Sequence, residues 1–178
     1  CPILLAGLTR LEYRGYDSAG VSTVEDDGLS LMKCKGRVKN LYDLDGIDNL
    51  KGTVGIAHTR WATHGKPSDI NSHPHQDNSK TFSVVHNGII ENYSELRKLL
   101  EDNGYHFYSE TDTEVIPNLI HYYFEKDDEN DGLEKFLKAV RNACFDLKGS
   151  FAIEVICSLF KENMIVVRKD SPLVIGTN

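Results

Sequence analysis

The segment His58-Thr59-Arg60-Trp61-Ala62-Thr63-His64-Gly65 gathers a guanidinium, two hydroxyls, two imidazoles and the chain's only tryptophan beside a helix-breaking glycine. It follows Val54-Gly55-Ile56-Ala57, which reads as a buried strand. Donor-rich residues at the end of a buried strand are where α/β and α+β folds place small-molecule sites. An arginine there points to a carboxylate or phosphate ligand, because its planar fork offers two parallel N–H donors. The plain alternative is a charged surface loop.

Asn87-Gly88 follows a second apolar run, Phe82-Ser83-Val84-Val85-His86. As local structure, Asn-Gly is a hairpin turn. As chemistry, an asparagine amide beside a glycine N–H supplies two neutral donors in a tight space. That is what stabilises a developing oxyanion, and one such donor is worth about 3–4 kcal/mol. Asp112 precedes a helical stretch. It either stabilises the positive end of that helix or accepts hydrogen bonds from an ammonium. Arg60 on a carboxylate and Asp112 on an ammonium would together grip an α-amino acid. His73-Pro74-His75, with His58, His64 and His86, raises a metal site. The spacing of zinc motifs is missing, and proline between two histidines hinders convergence, so no metal and no cofactor are expected.

These residues need elements to hold them. Pro2 and the apolar residues Ile3, Leu4, Leu5, Leu8 and Leu11 predict a short amphipathic helix. Asp26-Asp27-Gly28 between β-prone runs 18–24 and 29–35 predicts a hairpin. A short helix near 37–44 and a strand at 53–58 follow. Residues 66–80 read as a long polar loop with Pro67 and Pro74, functional or mobile. Asn92-Tyr93-Ser94-Glu95 and Thr111-Asp112-Thr113-Glu114 resemble capping boxes. They predict helices ending at Gly104 and near Lys126, and 133–146 predicts a third helix. Strands near 149–158 and 163–168 close the pattern. Strands early and late with helices between favour α+β over a doubly wound sheet.

A chain of 178 residues with 40% hydrophobic and 26% charged residues is long enough for one globular domain with a real core. A net charge of -7 disfavours nucleic acid or an anionic membrane as partner, since both need a basic face. No apolar run reaches the roughly 20 residues of a membrane span, and no signal-peptide pattern opens the chain. The four cysteines, Cys1, Cys34, Cys144 and Cys157, are scattered without a CxxC pair. The last three read as buried thiols in a reducing cytoplasm.

Glu12-Tyr13-Arg14-Gly15-Tyr16-Asp17-Ser18-Ala19-Gly20, His58 to Gly65, Val85-His86-Asn87-Gly88-Ile89-Ile90-Glu91-Asn92 and Ser109-Glu110-Thr111-Asp112-Thr113-Glu114 occur in order, and Ser171 to Gly176 continues the pattern. In these segments the chain closely resembles the glutaminase domain of the glutamine–fructose-6-phosphate transaminases (glucosamine-6-phosphate synthases), among the class II glutamine amidotransferases. The resemblance implies an N-terminal-nucleophile hydrolase fold, a four-layer αββα sandwich of two antiparallel sheets between helices. It implies a cytoplasmic enzyme of amino-sugar synthesis that hydrolyses the side-chain amide of L-glutamine to glutamate and ammonia. An N-terminal cysteine thiolate attacks the amide, its own α-amine acting as base. By motif, Asn87 and Gly88 form the oxyanion hole, Arg60 binds the substrate carboxylate and Asp112 its ammonium. Thr63 and His64 line the pocket, Trp61 belongs to a closing loop, and Arg14-Gly15 support the nucleophile's end.

The chain departs from that pattern at both ends. Cys1 runs directly into Pro2-Ile3-Leu4-Leu5, which matches the family's first helix. The expectation is one glutaminase domain over residues 1–178 without the nucleophile strand, the C-terminal part or the isomerase domains. Cys1 is then the only candidate thiol, at a helix start. Two readings follow: an active glutaminase, or an impaired fragment that keeps only the glutamine-binding residues.

Overall fold

A computed structural model describes residues 1–61 and 65–177. The Asp26-Asp27 turn joins β1 (Ser18–Glu25) to β2 (Gly28–Lys35), with Val21 opposite Met32. β1 also pairs with β3 (Gly55–Arg60), Gly20 opposite His58, giving an antiparallel sheet in the order β2-β1-β3. The second sheet, order β4-β5-β6-β7, comprises β4 (His75–Gln76), β5 (Phe82–Ile90), β6 (Gly149–Cys157) and β7 (Met164–Lys169). Its neighbouring strands are antiparallel as well.

Side-chain alternation decides what each sheet covers. Leu5 and Leu8 of α1 (Pro2–Leu11) and Leu41 of α2 (Val38–Tyr42) close over Ala19 and Val21 of β1. On the far side, α3 (Tyr93–Asp102), α4 (Val115–Lys126) and α5 (Gly132–Asp146) cover the second sheet. Phe136, Ala139, Val140 and Ala143 of α5 recur at helical spacing and are buried against Phe82, Phe151 and Ile153. The inner faces of the two sheets meet at Val24, Ile56, Val85 and Ile156. The layers run helix, sheet, sheet, helix, the αββα sandwich expected from the sequence.

Several local expectations are corrected. β3 runs on from the expected end at His58 through Arg60, so Arg60 lies within the strand and shares its inner face with Ile56 and His58. β5 continues through Asn87-Gly88, which pair with Ala152 and Phe151 of β6 and form no hairpin turn. Neither capping box forms. The Asn92 amide instead donates to the carbonyl of Asp146 and accepts from the Lys148 N–H, both at 2.9 Å. Glu114 accepts from the N–H groups of Tyr108 and Ser109. A 3-10 turn at Asp112–Glu114 leads into α4.

The middle of the 66–80 segment, residues 71–77, is an interior piece. Asn71, Ser72, His73, His75 and Asp77 are buried. Lys33 of β2 holds it, its Nζ donating to the carbonyls of Ile70 (3.2 Å), Ser72 (2.7 Å) and Pro74 (3.1 Å). An ammonium has three protons and here finds three acceptors. Burial lowers the Lys33 pKa to about 8, opposed by Glu114 and Asp69, so the ammonium persists at neutral pH. Lys33→Met is expected to lower the unfolding free energy by about 3 kcal/mol, as for losing hydrogen bonds to a charged group. Urea denaturation checks it; a loss below about 0.5 kcal/mol, the scatter of ordinary surface changes, would contradict the clamp.

Candidate active site

The ends of β3 and β5, the inner face of β6, the last turn of α1 and residues 171–174 enclose a cavity of about 650 Å³. Arg14, Arg60, Trp61, Asn87, Gly88 and Asp112 all line it. Residues far apart in sequence therefore meet in one place, through the antiparallel register of the two sheets. Leu8, Leu11, Val85 and Ile153 supply an apolar wall. A few convergent polar groups in an apolar cavity is the usual form of a small-molecule site.

Arg60 is buried, and one guanidinium nitrogen donates to the Gly65 carbonyl at 3.4 Å. Burial lowers its pKa somewhat, opposed by the carboxylates of Asp17 and Asp112. Arg60 and Asp112 thus share one electrostatic neighbourhood, as an α-amino-acid grip requires. Asp112 is also buried, and its Oδ2 accepts from the Ile90 N–H at 2.8 Å. The same bond ties the 3-10 turn to the end of β5.

Asn87 sits on the inner face of β5, its Oδ1 3.0 Å from His58 Nε2. Gly88 has φ 136°, a conformation rare for residues with side chains. Gly15 is set by proximity: a Cβ there would lie 2.8 Å from the backbone carbon of Arg60. Trp61 is exposed, with its ring edge-on to Tyr16 at 5.5 Å. Thr63 and His64, expected to line the pocket, lie outside the described residues.

His58, His73 and His86 line the cavity and, with His75, make a cluster of buried imidazoles. The rings of His58 and His73 lie 4.5 Å apart and 23° from parallel, and His75 meets His73 edge-on at 4.9 Å. His75 Nε2 contacts Thr111 Oγ1 at 3.1 Å, and His86 Nδ1 contacts Thr113 Oγ1 at 2.9 Å. Burial is the main force lowering all four pKa values, that of His86 to about 4. Among the described residues, no group of His, Cys, Asp or Glu is arranged to hold a metal ion.

Cys1 is not brought to the cavity. It precedes α1, its carbonyl accepting from the Leu5 N–H at 3.2 Å, and its side chain joins the core between α1, α2 and the first sheet. Leu8 and Leu11, toward the other end of α1, are the helix residues that line the cavity. At about 1.5 Å rise per residue, the helix holds Cys1 about 10–15 Å from those residues along its axis. That distance corrects the expectation of Cys1 as attacking thiol, since reaction needs contact at about 3–3.5 Å. Among the described residues no cysteine lines the cavity. Burial pushes the Cys144 and Cys157 thiols up to about 11, and Cys34 upward too, so none is an activated thiolate.

Two cavity features escape sequence reasoning. Glu154 lines the wall from β6, its carboxyl pKa raised by burial. Its one signal is a lone charge inside the apolar run Phe151 to Ile156. The contact of His58 with Asn87 had no signal, because it depends on how two sheets stack.

The family model described as "Glutamine amidotransferase domain" matches residues 58–177, and the chain belongs to that family. Among curated proteins it is 54% identical to the glutamine–fructose-6-phosphate aminotransferase [isomerizing] of Clostridium tetani, over 98% of this chain and 28% of that protein. It is 53% identical to the protein of that name from Gloeobacter violaceus, again over 98% and 28%. Among solved structures it resembles the glutamine phosphoribosylpyrophosphate amidotransferase of B. subtilis complexed with ADP and GMP. That match has TM-score 0.74 and 26% identity, over 94% of this chain and 34% of the other. The sandwich is accordingly of the N-terminal-nucleophile hydrolase type. The chain spans about 28% of the length of the curated relatives it matches. Among the described residues no helix is long and apolar enough to cross a membrane.

Proposed function

We propose that this cavity binds L-glutamine and presents its side-chain amide for hydrolysis to glutamate and ammonia. Arg60 takes the α-carboxylate through its planar fork, and Asp112 takes the α-ammonium. The amide carbonyl is directed at Asn87 and Gly88, where an oxyanion would develop. Trp61 covers the bound glutamine, and Arg14 and Gly15 support the reacting end. The observation that carries this reading is the convergence of Arg60, Asp112, Asn87 and Gly88 on one cavity. In the longer enzyme the ammonia would serve the amination of a sugar phosphate by isomerase domains, the reaction class of the curated relatives.

The position of Cys1 favours a second reading for the chain taken alone, in which it grips glutamine without turning it over. Two measurements separate the readings. Calorimetry is expected to show glutamine binding that Arg60→Ala weakens by about 2–5 kcal/mol, as for truncating a buried charged partner. An unchanged dissociation constant would remove Arg60 from the site. Treatment with a glutamine-analogue alkylator, read by intact mass and peptide sequencing, then locates any nucleophile. Labelling of Cys1 blocked by glutamine supports hydrolysis by this chain. Binding without labelling supports the second reading.

A further inference from the structure

The two ends of the Asn87 carboxamide are nearly the same size, and either could face the cavity. Only the NH2 end can stabilise an oxyanion; the carbonyl end would repel it. We propose that His58 is a positioning residue that settles this choice, donating its Nε2–H to Asn87 Oδ1 and so turning the Asn87 NH2 toward the cavity. The inference rests on the reading of Asn87 as an oxyanion donor, and assigns the group that makes it one.

The contact itself is 3.0 Å, a good hydrogen-bond length. A neutral imidazole carries one N–H. With the proton on Nε2, the asparagine oxygen must turn to His58 and the NH2 outward. With the proton on Nδ1, the asparagine NH2 must turn to His58 and the oxygen outward. The surroundings choose between these. His58 Nδ1 is buried and has no hydrogen-bond partner among the described residues. A proton there would be a buried donor without an acceptor, whereas a bare lone pair is the cheaper orphan. Burial keeps the ring neutral, although the bond to Asn87 favours the charged ring. Ring orientation is fixed as well: His58 stacks on His73, and its strand pairs across β1 with Gly20 opposite. The His73 carbonyl fills the space above Gly20, where a Cβ would come within 2.2 Å of it.

The test is a spectroscopic one with a kinetic companion. Long-range ¹H–¹⁵N correlation on the protein is expected to show His58 neutral and protonated at Nε2 at pH 7.5. An Nδ1–H pattern would overturn the proposal. Addition of glutamine is expected to move the Asn87 side-chain NH2 signals in the wild type and in His58→Gln, whose amide can still donate to Oδ1. In His58→Leu that movement should fall by at least half. Where turnover is measurable, His58→Leu should lower kcat at least about tenfold, toward the about 10²–10³ of deleting an oxyanion donor. KM should stay within about twofold, with His58→Gln recovering most of kcat. Equal losses in both variants would mean that His58 only fills space. If glutamine fails to bind the wild type, the reading of the cavity falls, while the tautomer still decides the His58 assignment.

Discussion

Between pH 7 and pH 5 the domain is expected to lose about 2 kcal/mol of stability for each buried histidine that stays neutral, and so about 6 kcal/mol from His73, His75 and His86 together. His58, His73, His75 and His86 are buried, and burial holds each below the ordinary imidazole value. The positive neighbours add to it: Arg60 acts on His58, His73 and His75, and Lys33 acts on His75. A folded state that binds fewer protons than the unfolded chain loses stability as pH falls below the unfolded value, about 6.5. The slope is about 1.4 kcal/mol per pH unit for each group that stays neutral, continuing down to its folded value. For His86 that value is about 4. Glu154 works with the opposite sign, because burial raises its carboxyl, but it is one group against four. Total stabilities of domains this size are about 5–15 kcal/mol, so the loss is of the same order. Urea unfolding followed by circular dichroism at pH 7, 6 and 5 measures it above the range where ordinary carboxylates titrate. A decline under about 2 kcal/mol would mean that the cluster admits protons or water.

Gly88→Ala is expected to destabilise the domain by about 4 kcal/mol and to abolish glutamine binding, combining backbone strain with overpacking. A Cβ at Gly88 would lie 2.1 Å from the Ser150 carbonyl oxygen and 2.9 Å from the Phe151 Cα. Both are backbone atoms of β6, so relief requires the strands to part. Gly104→Ala is the control, since Gly104 has φ 88° with nothing within 4 Å of the added carbon. It bears only the left-handed penalty of about 1–2 kcal/mol. If denaturation finds the two variants equally destabilised, the steric argument at Gly88 fails.

What the sequence disclosed follows how local each determinant is. The Asp-Gly hairpin and the apolar spacing of α5 are set by residues near in sequence, and the structure has both where expected. Asn87-Gly88 carries the strongest short-range turn signal, yet it lies inside a strand because pairing with β6 outweighs that preference. The two capping boxes failed for a similar reason: Asn92 and Glu114 find partners elsewhere in the fold. Of the site, Arg60, Asn87, Gly88 and Asp112 were legible as residue types with a chemistry. Their meeting was not, nor were Glu154 and the bond between His58 and Asn87, because these depend on the stacking of two sheets.

On the proposed reading, the donors at Asn87 and Gly88 belong to a strand hydrogen-bonded to β6 at that point, while β4 pairs with it only at Ser83 and Val84 and the first sheet meets it at Val85. They are aimed before any ligand arrives, and binding has little backbone freedom left to remove there. The exposed Trp61 lies just beyond the end of β3, with the Tyr16 ring edge-on beside it. The molecule thus divides its labour. On that reading, the part that must hold still when charge develops is carried on a strand paired with β6, and the part that can adapt to a guest is left at the rim.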